Sequence, residues 1–418
     1  MDRQQLLALA KRIPGFDPAW NAFRRNQLLR GYRERREHYA NLSRQRGLVP
    51  RESETATLVN RRLAARGYSP RVRSPREVHT FAFVPRISWH AALYPDLHEL
   101  GPVSEFDYAQ LGFTWEEFWK QDRPAGRRRR DMNSLALQAL KEAHARQPVD
   151  WVFVYASGLE VRHELIEAIT SEVGVPVVSM CLDDKHCWSG PMFDGQRLGQ
   201  IDIASKFDLC WTSARVACEW YRGEGAVPIY LPEGCDVSTF RPLDVPRDIP
   251  VSFIGADYGF RRAVARDLIR CGIPLQTFGR GWERGTVTVP QQVEIFNRSQ
   301  INLGMGGIGY CEELTNVKGR DFEIPVTGGG VYLTSFNADL AQHFHVGREI
   351  LCYHSRDELV ELVRHYLTHP DEAREIARAG RERCLREHRW LHRYEQICQS
   401  LGILASAGRI ESLNRQAA

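Results

Sequence analysis

Basic and acidic side chains are interleaved in the sequence KGRDFE, at residues 318–323. Lys318 offers a point charge and Arg320 a planar fork of N–H donors, and both suit the oxygens of a phosphate group. Glu323 can only accept hydrogen bonds when ionised, so it is better suited to sugar hydroxyls. The pattern predicts a ligand that carries phosphate and sugar. The alternative is a surface ion pair between Arg320 and Glu323, three residues apart on a helix.

Three consecutive glycines, Gly328 to Gly330, follow this motif and precede the apolar segment VYL. Glycine has no Cβ, so its backbone can adopt positive φ and approach a ligand closely. We therefore predict a helix, then a turn with Gly328 and Gly329 at the ligand, then a short buried strand. The alternative is that these glycines only close the turn.

A second glycine-rich segment, GMGGIG at residues 304–309, has the GxGxxG spacing of a dinucleotide-binding fingerprint. That fingerprint needs its last glycine to open an apolar helix, which the following residues YCEELTNVKGR do not predict. NAD is therefore not the expected ligand. We instead expect a loop at the carboxyl end of a parallel strand, where open α/β sheets bind ligands, with Gly306 at the ligand.

The segment SFIGADYGFRR, residues 252–262, predicts a strand, a loop and the start of a helix. Backbone N–H groups at a helix start bind phosphate, and an arginine there would neutralise it. We favour Arg262 slightly over Arg261 for this role. The alternative is an arginine that is simply solvated on the helix surface.

Candidate general bases occur in the first half of the chain, after the predicted buried strand PVVSMC. Asp183, Asp184 and His186 should lie at the carboxyl edge of the sheet, where a carboxylate or imidazole could take the proton of an attacking hydroxyl. His90, after the predicted strand HTFAFV, is the rival imidazole. Each could instead be structural, and the aspartate pair could hold a cation.

Charge is concentrated at the front of the chain, where residues 1–76 hold 18 Lys and Arg against 6 Asp and Glu. Apolar spacing predicts three helices there, in LLALAKRI, FRRNQLLRGYRERREHYANL and ETATLVNRRLAARGY. This front could be a solvated face, a dimerisation arm or a surface for an anionic lipid or glycan. We expect no nucleic acid partner.

A second basic cluster, Arg127 to Arg130, lies beside Pro124 and Gly126 in the sequence. It predicts an exposed loop.

Targeting and redox signals are weak. The ten cysteines include no CxxC pair, so neither a zinc site nor a redox motif is predicted. The start MDRQQLLALAKRIPGF lacks a long apolar core, and no run reaches the roughly 18 apolar residues of a membrane span. We expect a cytoplasmic protein, with a peripheral position at the inner face of the membrane as a further option.

From Val78 onwards strands and helices alternate with short connections, which predicts parallel sheets covered on both faces. The proline-rich segment CDVSTFRPLDVPRDIP interrupts this pattern and is typical of a linker between domains. The sequence therefore predicts two α/β domains.

Several motifs occur in the order found in one known family: LPEGCDVSTFRP, VSFIGADYGFRR, GRDFEIP, TGGGVYLT, FHVGREILCYHSRDEL and HPDEAREIARAGRERCLREHRW. From about Val149 to Arg393 the chain resembles the CgeB-like, spore-maturation-type glycosyltransferases. The resemblance implies the GT-B fold, with two facing Rossmann-like, doubly wound domains and here a helical N-terminal extension. We expect the following division: 1–75, basic helical extension; 76–242, acceptor domain; 243–389, nucleotide-sugar donor domain; 390–418, a C-terminal helix that crosses back to the first domain, and a tail.

The resemblance also implies an enzyme, one that transfers a sugar from a nucleotide-diphosphate sugar to a hydroxyl of a glycan, lipid-linked intermediate, protein or small metabolite. It implies no cofactor and no metal ion, because proteins of this fold usually offset diphosphate charge with Lys, Arg and helix ends. Many retaining relatives carry two glutamates eight positions apart. The second corresponds to Glu323, but the first falls at Thr315, with Glu312 and Glu313 nearby and out of register. The alternatives are a non-catalytic nucleotide- or glycan-binding protein on the same fold, and a GT-B epimerase or phosphorylase.

Overall fold

The computed structural model describes residues 16–48 and 52–405. The described chain divides into two units. We call residues 39–239 and 385–405 the first unit, and residues 16–38 and 240–384 the second unit. Residues 16–38 of the predicted extension group with the second unit, and residues 39–48 and 52–75 group with the first unit. The predicted helix LLALAKRI lies outside the described residues. No helix in the described ranges is long and apolar enough to cross a membrane.

Two helices form the described part of the basic front. They are α1 (Phe16–Arg46) and α2 (Thr55–Ala65). Thr55, Val59 and Leu63 are buried at a spacing of four, so one face of α2 packs into the core of the first unit. Arg66, which follows α2, forms an ion pair with the carboxylate of Asp208 at 2.8 Å. This part of the front is therefore a packed element and not a solvated arm.

The first unit is built on a six-stranded parallel sheet in the order β2-β1-β3-β4-β7-β8. The elements up to its centre are β1 (Thr80–Phe83), α3 (Tyr94–Leu100), β2 (Val103–Glu105), α4 (Trp115–Phe118), α5 (Arg123–Arg146) and β3 (Trp151–Tyr155). The following elements are α6 (His163–Ala168), β4 (Val177–Cys181), α7 (Asp184–Cys187), the hairpin strands β5 (Met192–Phe193) and β6 (Gln196–Arg197), then β7 (Leu209–Thr212), α8 (Ala217–Gly223) and β8 (Pro228–Tyr230). The buried strands are formed by sequence segments that are rich in apolar residues with high β-strand propensity.

The second unit is built on a five-stranded parallel sheet in the order β10-β9-β11-β14-β15. Its elements begin with β9 (Ile249–Ile254), α9 (Arg261–Arg270), β10 (Leu275–Phe278), α10 (Val289–Arg298) and β11 (Ser299–Leu303). They continue with the antiparallel strands β12 (Gly307–Ile308) and β13 (Cys311–Thr315), then α11 (Arg320–Thr327), β14 (Val331–Ser335), β15 (Leu351–Tyr353), α12 (Arg356–Thr368) and α13 (Pro370–Glu387). The predicted α/β class with Rossmann-like parallel sheets is confirmed.

The last described helix, α14 (Trp390–Ser400), belongs to the first unit. Its buried Trp390 and Tyr394 lie in the same core cluster as Phe153 of β3. The Tyr394 hydroxyl donates a 2.9 Å hydrogen bond to the carbonyl of Leu93. The chain thus returns to its first sheet after it has completed the second.

The loop predicted at Arg127–Arg130 is wrong, because these residues lie inside α5. The Asp122 side chain caps the helix by accepting a hydrogen bond from the Ala125 N–H, and Pro124 is tolerated in the first turn. Arg129 is fully buried and donates to the carbonyl of Gly158 at 2.9 Å. A proline near the start of a helix does not break it, and this is why the composition was misleading.

Candidate functional site

Two arginine side chains converge at the carboxyl end of β9, in the second unit. Arg320, the first residue of α11, donates a 3.1 Å hydrogen bond to the carbonyl of Ile254. Arg261, the first residue of α9, donates a 3.0 Å bond to the carbonyl of Ala256. A Cβ at Gly255 would lie 3.1 Å from Nη1 of Arg320 and 3.2 Å from Nη1 of Arg261. Glycine at 255 therefore leaves room for both guanidiniums.

Neither of these two charged groups is bonded to a carboxylate in the part of the chain that the structure describes. Arg261 is buried, with 3% of its surface exposed, and burial together with the neighbouring charge of Arg320 lowers its pKa to about 10. Within residues 16–48 and 52–405, neither guanidinium forms an ion pair with a carboxylate, and the buried Nε of Arg261 has no hydrogen-bond partner. Two cations held together with no carboxylate bonded to either are unfavourable in a partly buried site. The arrangement suits a multiply charged anion, such as a diphosphate.

Arg262 points elsewhere. Its guanidinium is exposed, pairs with the Asp257 carboxylate and donates to the carbonyl of Gly281 at 3.3 Å. Successive helical residues diverge by about 100° around the axis, so only one of the two arginines can face β9. The structure brings Arg261 to Arg320, against the slight preference for Arg262 drawn from the sequence.

The KGRDFE motif forms the tight turn before α11 and the first turn of that helix. The buried carboxylate of Asp321 accepts hydrogen bonds from the Lys318 N–H at 2.8 Å and from the Tyr332 hydroxyl. Glu323 lies in the first turn, with its N–H bonded to the carbonyl of Gly319 at 2.8 Å. Arg320 turns to the β9 carbonyl rather than to Glu323, so the predicted alternative of a surface pair between them does not form. Lys318 and Glu323 flank the arginine site along the chain.

Gly328 and Gly329 are not brought to the arginine site. Gly328 ends α11 in the left-handed conformation, with φ of 62°. A Cβ on Gly329 would lie 2.6 Å from the backbone of Asn297, at the end of α10. These glycines precede β14 and lie at the amino edge of the sheet, opposite Gly255. Their small size is explained by backbone packing, and the predicted contact with a ligand gains no support.

Gly306 lies at the carboxyl edge of the second unit's sheet, as expected from the sequence. It follows β11, and its N–H donates a 3.1 Å hydrogen bond to Oγ of Ser335, at the carboxyl end of β14. After it comes the β12–β13 hairpin and not a helix, so the GxGxxG match lacks the structure of a dinucleotide fingerprint. A Cβ at Gly307 would lie 2.6 Å from the ring of Phe260, immediately before Arg261. The hairpin therefore packs against the start of α9.

In the first unit, four side chains lie at or just after the carboxyl ends of the strands β1, β3 and β4. The rings of His90 and Tyr155 have centroids 4.9 Å apart. Desolvation raises the pKa of Tyr155 well above its ordinary value, and the nearby charge of Asp183 adds to this. His186 Nε2 lies 3.8 Å from the Asp183 carboxylate. The predicted candidates His90, Asp183 and His186 thus share one edge of the sheet with Tyr155.

His90 is oriented for accepting a proton. Its Nδ1 lies 2.6 Å from the carbonyl of Ile87, which can only accept, so Nδ1 carries the hydrogen and Nε2 keeps the lone pair. Burial lowers the pKa of His90, which favours the neutral ring. A neutral imidazole with a fixed tautomer is the form that a general base requires.

Asp184 differs from its neighbour Asp183. It is fully buried and accepts hydrogen bonds from the hydroxyls of Thr212 at 2.5 Å and Tyr221 at 2.9 Å. Burial raises its pKa to about 6. The carboxylate joins β7 and α8 to the end of β4 and does not face the edge with His90. The prediction of Asp184 as a base is therefore not supported.

Comparisons with known proteins agree with this architecture. Residues 260–399 match a protein-family model described as glycosyl transferase-like. No curated protein matches the chain in sequence. Among solved structures, Anabaena HepE in complex with UDP and glucose is similar with a TM-score of 0.50 and 10% identity, covering 79% of this chain and 100% of HepE. A trehalose-6-phosphate synthase studied for glycosyl transfer with retention is similar with a TM-score of 0.50 and 12% identity, covering 78% and 99%.

The fold is GT-B. The TM-scores and the two parallel sheets support this fold, while the CgeB-like subtype has no further support. The matched segment 260–399 includes Arg261, Arg320 and Glu323. The arginine pair therefore lies within the part of the chain that is similar to glycosyl transferases.

The first of the two glutamates that many retaining relatives carry falls here at Thr315, and both neighbouring glutamates are paired with arginines. Glu312 forms an ion pair with Arg356 at 2.9 Å. Glu313 pairs with Arg25 of α1, and this hydrogen bond lowers the pKa of Glu313 to about 2. Both carboxylates are thus committed to arginines. They line a cavity of about 400 Å³ with Thr315, at the carboxyl ends of β14 and β15.

Two site features were missed by the sequence reasoning. Tyr155 ends the buried strand β3, and a polar-tipped aromatic at that position is a signal that could have found it. Gly255 follows β9, and its role became visible only when Arg261 and Arg320, 59 residues apart in sequence, were found beside it. No local pattern records such a contact.

Proposed function

We propose that the protein is a glycosyltransferase that moves a sugar from a nucleotide-diphosphate donor to a hydroxyl of a glycan, lipid-linked intermediate, protein or small metabolite. The observation that carries this proposal is the pair of Arg261 and Arg320 at Gly255, neither of which is bonded to a carboxylate among the described residues. Their position at the carboxyl edge of a parallel sheet is the usual place for a nucleotide in open α/β folds. The GT-B fold and the match over residues 260–399 support the same reaction class.

The donor diphosphate lies, in this proposal, on the guanidiniums of Arg261 and Arg320 and the N–H groups at the start of α9. When the bond between sugar and diphosphate breaks, negative charge accumulates on the leaving phosphate. Two fixed cations in a partly buried site stabilise that charge more than they stabilise the intact donor. Lys318 adds a mobile positive charge, and Glu323 accepts hydrogen bonds from the ribose hydroxyls. No metal is needed for this step.

The acceptor hydroxyl is assigned to the first unit. His90 is the preferred base, because its Nε2 lone pair is available and its ring is held by Ile87 and Tyr155. Asp183 and His186 form the second candidate pair at the same edge. An inverting reaction requires such a base, whereas a retaining reaction depends mainly on the leaving diphosphate.

The first donors to test are UDP-sugars, because HepE was solved with UDP and with UDP-glucose. The experiment incubates the protein with UDP-, GDP-, ADP- and dTDP-sugars and measures release of the nucleoside diphosphate, with water as the acceptor. We expect release from at least one donor, and a loss of at least tenfold in Arg320→Ala. Nucleoside diphosphate binding without release from any donor would contradict the transferase proposal and leave a binding protein.

A further inference from the structure

Three potential metal ligands meet where α12 ends and α13 begins. His365 lies in the last turn of α12, His369 follows that helix, and Glu372 lies in the first turn of α13. One ligand atom of each residue lies within 4.8 Å of the other two, and all three residues are exposed. Across residues 16–48 and 52–405, no other group of three His, Cys, Asp or Glu side chains meets this condition.

The distances in this cluster are close to those of a metal site. The four-residue spacing places His365 and His369 on one face, with ring centroids 4.1 Å apart. Nε2 of His365 lies 3.1 Å from the carboxylate of Glu372. Two ligands bonded to a tetrahedral zinc ion at about 2.0–2.1 Å are about 3.3 Å from each other. The two rings are stacked nearly parallel, with an interplanar angle of 13°, so the His365 ring must turn before its lone pair and that of His369 can point to one ion.

The ring of His369 is already oriented by an outer hydrogen bond. Its Nδ1 lies 2.8 Å from the carbonyl of His365 and 3.0 Å from Oγ1 of Thr368. A carbonyl can only accept, so Nδ1 carries the hydrogen and Nε2 keeps its lone pair. Metal-ligating histidines usually donate their second nitrogen to a carbonyl or carboxylate in this way. This bond is a second observation, independent of the clustering, that favours a ligand role.

We propose that His365, His369 and Glu372 bind a zinc ion that clips α12 to α13 across Pro370. Two imidazoles and one carboxylate are a donor set that zinc accepts, with water in the fourth position. The site lies at the end of α12 far from Arg356, hence at the amino edge of the sheet and away from Arg261 and Arg320. Its role is structural, and it does not depend on the proposed sugar transfer.

The test is a calorimetric titration of zinc alone into the full chain, without an oligohistidine tag and after treatment with a chelator. We expect one zinc per chain at this site. His369→Gln and Glu372→Gln should each weaken binding at least tenfold. His345→Gln, which changes an exposed imidazole outside the cluster, is the matched control and should leave the affinity unchanged.

A melting experiment with the same proteins gives a second readout. A ligand that binds only the folded state raises the melting temperature, so zinc should stabilise the wild type and His345→Gln but neither cluster variant. The exposed thiols Cys187 and Cys271 are the competing zinc ligands, and binding to them would persist in His369→Gln. Undiminished zinc binding in that variant, or no zinc binding by the wild type, would overturn the proposal.

Discussion

The substitution Arg320→Ala tests the claim on which the proposed donor site depends most, namely that Arg320 binds the diphosphate. Arg320 has five N–H donors, of which one is used by the Ile254 carbonyl. The rest of the guanidinium is available for phosphate oxygens. The substitution also removes the repulsion that contributes to the low pKa of Arg261. The variant should therefore bind nucleoside diphosphates more weakly without being a less stable protein.

The expected loss of affinity for a nucleoside diphosphate follows from the hydrogen bonds that the substitution removes. A charge-assisted hydrogen bond contributes on the order of 1.5–3 kcal/mol. Loss of one such bond corresponds to about a 10- to 150-fold weaker affinity, since about 1.4 kcal/mol is tenfold. In the free protein, the lost bond to Ile254 and the lost repulsion with Arg261 act in opposite directions. We expect the melting temperature without ligand to change by no more than about 2 °C, well below the shift of a 1 kcal/mol change in a small domain.

Calorimetry with UDP, followed by GDP, ADP and dTDP, measures the affinity of each protein. Arg262→Ala is the matched control, because Arg262 is adjacent in sequence but pairs with Asp257 and points away from Arg320. We expect Arg262→Ala to stay within about threefold of the wild type, less than the loss of a single hydrogen bond to a charged group. Equal affinity of wild type and Arg320→Ala would refute the assignment, and so would equal losses in the two variants.

Three further predictions concern specificity and stability. A nucleoside diphosphate should raise the melting temperature while NAD does not, because the GxGxxG loop forms a hairpin; stabilisation by NAD alone would contradict this. The raised pKa of Asp184, about 6, means that its contribution to stability is present below about pH 4 and is lost as pH rises through 6. In Asp184→Asn the free energy of unfolding, measured with urea between pH 4 and 7, should fall less steeply with pH than in the wild type, and donor hydrolysis should be retained. An unchanged pH dependence, or loss of hydrolysis, would count against a structural role for Asp184. Leu63→Ala should lower the free energy of unfolding by about 2–5 kcal/mol because Leu63 is fully buried, whereas the exposed Arg61→Ala should change it little. A cost below about 1 kcal/mol for Leu63→Ala would mean that α2 is peripheral.

Sequence periodicity was sufficient for the sheets. Runs such as DWVFVY and PVVSMC are apolar on both faces of the strand, and this is expected only where helices cover both sides of a parallel sheet. The KGRDFE and GFRR segments were also recognised, because charged residues beside strand ends are visible locally. What the sequence could not provide was the direction of each side chain. Arg261 and Arg262 are adjacent, and only the helix orientation shows that Arg261 reaches Arg320.

Burial was the second property that could not be predicted from the sequence. Asp184 and Arg129 are both charged and both fully buried, because residues distant in sequence form hydrogen bonds with them. The hydroxyls of Thr212 and Tyr221 donate to Asp184, and Arg129 donates to the carbonyl of Gly158. Charged residues are mostly exposed, so a sequence-based prediction places such residues at the surface. The glycines illustrate the same limit, since Gly329 is small because Asn297 lies behind it, 32 residues earlier.

The most direct test of the central claim is a crystal structure of the protein with a nucleoside diphosphate bound. The account predicts that the diphosphate oxygens lie within hydrogen-bond distance, about 2.7–3.2 Å, of the guanidiniums of both Arg261 and Arg320, with the ribose near Glu323. A diphosphate bound elsewhere in the second unit, for example in the cavity beside Arg356, with Arg261 and Arg320 unchanged, would contradict it.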